Sequence, residues 1–283
     1  MFIKQTKTLI ALVFLMCSLP AYSANVVQIE IESSKNGVSK GVNTNIITID
    51  EKKWRLDYLG TEKTKTETTP FLLTLNGGKN WTLADSQDNE FYCAKIEMND
   101  FFRDLGNIMW QLNSLANAKF PEMKLELLLE EPGPEISGYA TTHLRFQTSV
   151  KANARILFKK FEYGMTKVDD IWYTKDLQIH PAKKRWIEAL THSGYEHIDQ
   201  LSSDLRSSIP GPVLKQNSVI KITDYKNDQV DTYERKIRVV SIKELESSEV
   251  PKDTFTRLDC EDIDESQIKD AAGSIFREGR LNL

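Results

Sequence analysis

Cysteine is scarce in this chain, with three in 283 residues, and histidine is nearly as rare, with four. Scarcity of both leaves little material for a metal centre of the Cys/His type. No glycine-rich phosphate loop is present. Basic residues do not outnumber acidic ones: 37 Lys and Arg stand against 41 Asp and Glu, a formal net charge of −4. That balance argues against nucleic acid as a partner. Long apolar runs are missing too, with one exception at the very start. No later stretch approaches the ~20 residues needed to span a bilayer.

The exception reads as an export signal. Lys4 and Lys7 form a short positive region, Leu9 to Leu19 carries no charge, and Pro20 breaks the run. Ala21-Tyr22-Ser23 then places small residues where a signal peptidase cuts, before Ala24. At about 11 residues the run is too short for a membrane anchor. A lipid-modified Cys17 is disfavoured by the bulky Met16 before it. Residues 1–23 are thus predicted to be a signal peptide, and 24–283 a single periplasmic or otherwise exported domain. Loss of Lys4 and Lys7 moves the net charge from −4 to −6, with 35 basic residues against 41 acidic. Cys93 and Cys260 remain. Two cysteines in an oxidising compartment suit a disulfide, the alternative being two buried thiols.

Most of the mature chain alternates with a period of two, as antiparallel strands with one buried face do. Strands are predicted at Val26 to Ile31, at Thr44 to Ile49 after a loop around Gly37 and Gly41, and at Trp54 to Tyr58. Phe71, Leu73 and Leu75 alternate before an Asn76-Gly77-Gly78-Lys79 turn, and Trp81 and Leu83 follow it as the second arm of a hairpin. Phe91 to Ile96 and Lys124 to Leu129 are further strands, the latter ending at a turn over Pro132-Gly133-Pro134. Tyr139 to Val150 puts Leu144, Phe146 and Val150 on one face and His143, Arg145 and Gln147 on the other. Ala154 to Tyr163 and Ile171 to Ile179 flank a turn around Gly164 to Asp170. Val219 to Thr223 and Tyr233 to Ile242 come last.

Two stretches have helical spacing. From Asp100 to Ala118 the apolar residues are Phe101, Leu105, Ile108, Leu112 and Leu115, with Asp100 as the expected N-cap and Pro121 as the stop. A second helical region, an insert near 183–208, runs from Lys183 to Leu190 and from Tyr195 to Ser208. An acidic tail begins at about 260. The expected fold class is α+β: a large curved antiparallel sheet, a half-barrel of about ten or eleven strands, wrapped around or covered by helices.

Reactive groups are not assembled into any motif. His143, His180, His192 and His197 lack metal-ligand spacing. Ser193 lacks the preceding glycine of a nucleophile elbow, and Cys93 lies inside a strand. Asp169-Asp170 falls in the expected turn, and Glu261-Asp262 with Asp264-Glu265 does not match a calcium loop. No catalytic residue, metal or cofactor is assigned. The aromatic residues Trp54, Tyr58, Trp81, Trp172 and Trp186 fill a core or line an apolar pocket between sheet and helices.

Three segments resemble an exported bacterial family of unknown function within the LolA/LolB-like half-barrel superfamily. The first is Trp54-Arg55-Leu56-Asp57-Tyr58 with the hairpin Leu75-Asn76-Gly77-Gly78-Lys79-Asn80-Trp81-Thr82. The second is Ile136 to Phe146, with Ile171 to Leu177 after it. The third is Val239 to Leu245 leading into Val250-Pro251-Lys252-Asp253-Thr254-Phe255, like the family's closing strand and Pro-x-x-x-Phe lock. The resemblance implies an antiparallel sheet with an apolar concave face, in a superfamily whose lipoprotein carriers bind acyl chains or partner proteins. It implies no catalytic residues.

The resulting expectation is a non-enzymatic binding protein for a lipid, an acyl chain or an acylated protein. The alternatives are an envelope protein-interaction or sensor module with a filled core, and a hydrolase-type enzyme. The expected pocket residues are Trp54, Tyr58, Leu73, Leu75 and Trp81 on the sheet and Phe101, Leu105, Ile108 and Leu112 on the helix. A lipid or lipoprotein ligand and an envelope protein are the expected partners.

Overall fold

Alternation of apolar and polar residues builds one large open sheet. The computed structural model describes residues 23–60, 71–87, 90–97, 99–100, 103–104, 119–156, 159–190 and 196–262. The predicted signal segment up to residue 22, most of the predicted 100–118 helix and the tail after 262 lie outside them. Along the chain run β1 (Ser23–Lys35), β2 (Val38–Asp50), β3 (Lys53–Gly60), β4 (Phe71–Thr74), β5 (Asn80–Gln87) and β6 (Glu90–Glu97). They are followed by β7 (Lys119–Ile136), β8 (Tyr139–Ile156), β9 (Lys159–Tyr173), α1 (Pro181–Leu190) and α2 (Glu196–Ser207). The last elements are β10 (Val213–Asp224), β11 (Gln229–Glu246) and the two-residue β12 (Glu261–Asp262).

The strand order is β12-β6-β5-β4-β3-β2-β1-β11-β10-β9-β8-β7. Among the described residues eleven strands pair antiparallel, and β12 alone joins parallel, against β6. The sheet is two meanders meeting at the centre. β1 to β6 step outward from the middle, and β7 to β11 step back from the far edge. The link from β6 to β7 therefore joins the two edges of the antiparallel sheet.

Each edge is protected, as edges must be. Pairing of Glu261 with Ala94 and Asp262 with Lys95 covers β6. The Cys93–Cys260 disulfide, with Cα atoms 5.4 Å apart, pins that cover in place. On the other side β7 carries Pro121, Pro132 and Pro134 and three register shifts. Proline lacks a donor and is tolerated at an edge. The predicted turn at Pro132-Gly133-Pro134 is accordingly strand, and the chain reverses at Ser137-Gly138, whose φ values are 51° and 84°.

Two other expected turns move. Asn36-Gly37, at φ 50° and 78°, is a two-residue hairpin turn, so Gly41 lies inside β2. Gly164 to Asp170 is not a turn but the middle of β9. The bare glycine at Gly164 leaves room for the Tyr225 ring, whose hydroxyl would lie 2.5 Å from a Cβ there. The two carboxylates of Asp169-Asp170 point to opposite faces and are each paired, as described below. The cap expected of Asp100 is likewise displaced: Asp100 donates its own amide to the Glu97 carboxylate at 2.8 Å.

Candidate functional site

Register places the apolar side chains on one face. A cross-strand row runs Ala94, Leu83, Leu72, Leu56, Ile47, Val27, Ile242 from β6 to β11. Trp54, Leu56, Leu72, Trp81 and Ile96 are buried there with Ala182 of α1, and Ile47, Ile49, Tyr58 and Leu83 pack around them. On the same face of the other half, Leu144, Phe146, Ile171 and Tyr173 are buried against Leu125, Leu205 of α2, Ile209 and Val213.

The start of α1 is fixed by three contacts. The His180 imidazole donates through Nε2 to the Glu51 carbonyl at 2.7 Å and accepts the Ala182 amide through Nδ1 at 3.2 Å. His180 is therefore the N-cap of α1, with Pro181 at the first helical position. Burial holds its pKa below the usual imidazole range, against the raising effect of its bond to Glu51. Gly78, at φ 84°, lets the turn touch the helix, since a Cβ there would lie 2.8 Å from the Ala182 Cα.

A polar row crosses the same face and runs into the second apolar cluster. It runs Ser33, Arg235, Ser218, Asp169 and ends at Phe146, on β1, β11, β10, β9 and β8. Asp169 is 1% exposed. Its Oδ1 accepts from Ser218 Oγ at 2.5 Å and from Gln216 Nε2 at 3.0 Å, and Lys167 Nζ lies 2.9 Å from Oδ2. Burial lowers the pKa of Arg235, with Tyr58 acting in the opposite direction.

The sequence-predicted pocket residues do not form one wall. Trp54, Tyr58 and Trp81 share the face just described. Leu73 is on the reverse face, because it pairs with Arg55 and Thr82 while Leu72 pairs with Leu56 and Leu83. There it is buried with Phe71 and Ala84 beneath Phe255 and Leu258 of the C-terminal segment. Leu75 lies beyond β4 and is exposed. Leu73 and Leu75, with Trp81, Lys95 and Arg257, border a shallow cavity of about 250 Å³ near the 75–79 turn. Phe101, Leu105, Ile108 and Leu112 lie outside the described residues. All four residues of β4 are buried because both faces are covered, and such a strand reads as a plain apolar run rather than an alternation.

The remaining reverse face is charged. His143 stacks on Trp172, ring centroids 4.4 Å apart at 4°, with Lys215 over the same indole at 4.2 Å. Its Nδ1 is 3.1 Å from Glu131 and its Nε2 is 2.7 Å from Asp170, which also accepts from Arg145 at 2.8 Å. Both ring nitrogens face carboxylates, so the group clamps β7, β8 and β9. Among the described residues no group of three or more His, Cys, Asp or Glu side chains is placed to hold a metal ion. Among them, too, no helix is long and apolar enough to cross a membrane.

Among the described residues these features define an open, largely antiparallel sheet with two helices on its apolar face, stapled by a disulfide. No protein-family model and no curated protein sequence matches the chain. Solved structures align with it, among them the following two. A LolA superfamily protein from Nitrosomonas europaea is 9% identical, with 84% of this chain and 92% of that one covered and a TM-score of 0.26. A DUF1329 family protein from Desulfovibrio piger is also 9% identical, with 87% and 94% covered and a TM-score of 0.19. At those values neither likeness carries an argument about this chain.

Proposed function

We propose that the protein is an exported, non-enzymatic binding protein whose sheet curls into a half-barrel and whose apolar face takes up an acyl chain. One observation carries this reading: the face is wider than its cover. Eleven antiparallel strands at about 4.8 Å spacing give a sheet about 50 Å wide. The helices α1 and α2, each about 10 Å across, cover about 20 Å of that width. A third helix over 100–118, as the sequence predicts, adds about 10 Å more. Among the described residues the rest of the apolar face is left open to a ligand, and each buried methylene contributes about 0.8 kcal/mol.

Two features support the curl. The link between the edge strands, for which the sequence predicts a helix over 100–118, would span about 28 Å in that helix against a flat sheet of about 50 Å. Tyr58 on β3 acts electrostatically on Arg235 on β11, although β2 and β1 lie between them. Export is supported by the predicted signal segment and by the Cys93–Cys260 bridge, which persists in an oxidising compartment.

The test is titration with N-phenyl-1-naphthylamine, a neutral apolar dye. Saturable fluorescence enhancement is expected, at one or two dyes per protein, and Val27→Trp, at a half-buried position of the same face, should weaken it by filling the face. No saturable enhancement in the wild-type protein would refute the reading and favour a filled core.

A further inference from the structure

We propose that the groove beneath the C-terminal segment is an interaction site for an extended chain, that the outside partner it fits is the same segment of a second copy of this protein, and that thiol exchange at the Cys93–Cys260 bridge lets two copies trade these straps. The groove is on the reverse face, away from the surface assigned to the acyl chain, and is independent of it.

Register lays the floor of the groove. Arg55, Leu73, Thr82 and Lys95 form one cross-strand row of the reverse face, and Asp57, Phe71, Ala84 and Cys93 form the next. Residues 250–262 cross these rows from β3 to β6. Arg55 donates through Nη1 to the Thr254 carbonyl at 2.9 Å, and Lys53 lies over the Phe255 ring at 5.3 Å. Phe255 and Leu258 cover Phe71, Leu73 and Ala84. Cys260 is joined to Cys93, and Glu261 and Asp262 pair with Ala94 and Lys95. With the strap gone, Phe71, Leu73, Ala84 and the edge of β6 would be bare. An apolar groove beside an unpaired strand edge takes up an extended chain that fits it.

The strap is separable from the sheet. Besides the bridge, its ties include a two-residue strand and an ion pair at 3.9 Å between Lys95 and the fully exposed Asp259, which contributes little. Val250 to Cys260 is eleven residues, which reach about 36 Å when extended. Crossing from β3 to β6 takes three strand spacings, about 14 Å. The surplus is folded into turns in which Thr254 N–H donates to the Pro251 carbonyl and Thr256 N–H to the Asp253 carbonyl, both at 3.0 Å. The root stays fixed, since Ser247 Oγ donates to Asp50 Oδ1 at 2.8 Å and Val250 is buried. Opening the turns therefore frees the strap without disturbing the strands beneath it.

A second copy is the partner because the strap's own sequence is the one the groove is seen to fit. An exchanged strap repeats the contacts of the native one, so exchange sacrifices no contact and is opposed by the entropy of association. A small thiolate, such as that of glutathione, attacks the sulfur of the half-buried Cys93. A mixed disulfide forms there and Cys260 leaves as a thiolate. After the straps have moved, the Cys260 thiolate of one copy attacks the mixed disulfide on Cys93 of the other and expels the small thiolate. Two intrachain bridges become two interchain bridges, with no net oxidation or reduction.

The experiment mixes exported, mature Cys93→Ser and Cys260→Ser proteins, each left with one cysteine, in a buffer of reduced and oxidised glutathione. A seated strap holds its thiol at millimolar effective concentration. Dimers linked Cys93 to Cys260 should therefore exceed each like-with-like dimer by about tenfold or more, against about twofold for random collision. Non-reducing electrophoresis and peptide mapping read the links. Phe255→Asp added to the Cys93→Ser protein, whose strap carries the thiol, should return the ratio to the random value. Wild-type protein serves if a single-cysteine variant does not fold. Incubated with glutathione at rising protein concentration, it should form a rising share of dimers with interchain Cys93–Cys260 bridges. A random ratio of links, or a ratio indifferent to Phe255→Asp, would overturn the exchange. So would wild-type protein that stays monomeric at every concentration.

Discussion

Trp54 and Trp81 meet edge to face, ring centroids 5.3 Å apart and planes at 77°, with β4 between their strands. Trp81 is 2% exposed, and its indole N–H donates to the Gly78 carbonyl at 3.1 Å. The pair anchors the apolar cluster under α1. Trp81→Ala is expected to destabilise the protein by about 3–5 kcal/mol, from lost transfer energy and the cavity left behind. Urea unfolding with a fixed m-value checks it. A loss below 1 kcal/mol would mean that this cluster is not a packed core.

The Cys93–Cys260 bridge spans 167 residues and holds the segment carrying Phe255 and Leu258 over Phe71 and Leu73. Closing so long a loop stabilises the folded state by about 4–5 kcal/mol in the chain-entropy model. Reduction, or Cys93→Ser with Cys260→Ser, should lower stability by up to that amount. It should also raise hydrogen exchange in β6, whose edge β12 covers. Unchanged stability and exchange after reduction would contradict the role given to the strap.

His180 makes stability depend on pH. Its folded-state pKa lies below the ordinary 6.5 because burial disfavours the imidazolium, so the neutral form is the one that folds. Stability is fully present above pH 6.5 and falls as pH drops from there through the folded-state value, by at most about 1.4 kcal/mol per pH unit. Protonation also removes the Nδ1 lone pair that accepts the Ala182 amide, and sets a positive charge at a helix N-terminus. His180→Asn keeps a capping side chain and does not titrate. Melting curves between pH 7.5 and 5 should show a fall for the wild type that is smaller in the variant. Parallel profiles would rule out His180 as the source.

The sheet was legible in the sequence because its strands alternate. Trp54 to Tyr58 and Tyr139 to Val150 have one buried face each, and their period of two announces it. What failed to show was whatever broke the alternation. Phe71 to Thr74 is covered on both faces, so the pattern assigned Leu73 to the wall of Trp54 when register puts it on the reverse side. Asp169-Asp170 resembled a turn because two adjacent carboxylates are rare in a strand. Period two in fact delivers one to Ser218, Gln216 and Lys167 and the other to His143 and Arg145. The polar row escaped notice for a related reason. Ser33, Arg235, Ser218 and Asp169 lie far apart in the chain, and pairing of four strands brings them into line. A cue was present in β11, where Tyr233, Arg235, Ile237 and Val239 alternate on one face and place a cation among apolar residues. His180 as a cap was readable from the His-Pro step before an amphipathic stretch.

The central claim is that an acyl chain occupies the apolar face, and native mass spectrometry of the full-length protein, exported and gently extracted from its envelope, tests it most directly. The account predicts a population heavier than the mature chain by the mass of one acyl amphiphile, and the same stoichiometry when stripped protein is incubated with oleate. Only the unliganded mass, both as extracted and after incubation with oleate, oleyl alcohol and 1-oleoyl-lysophosphatidylglycerol, would contradict it.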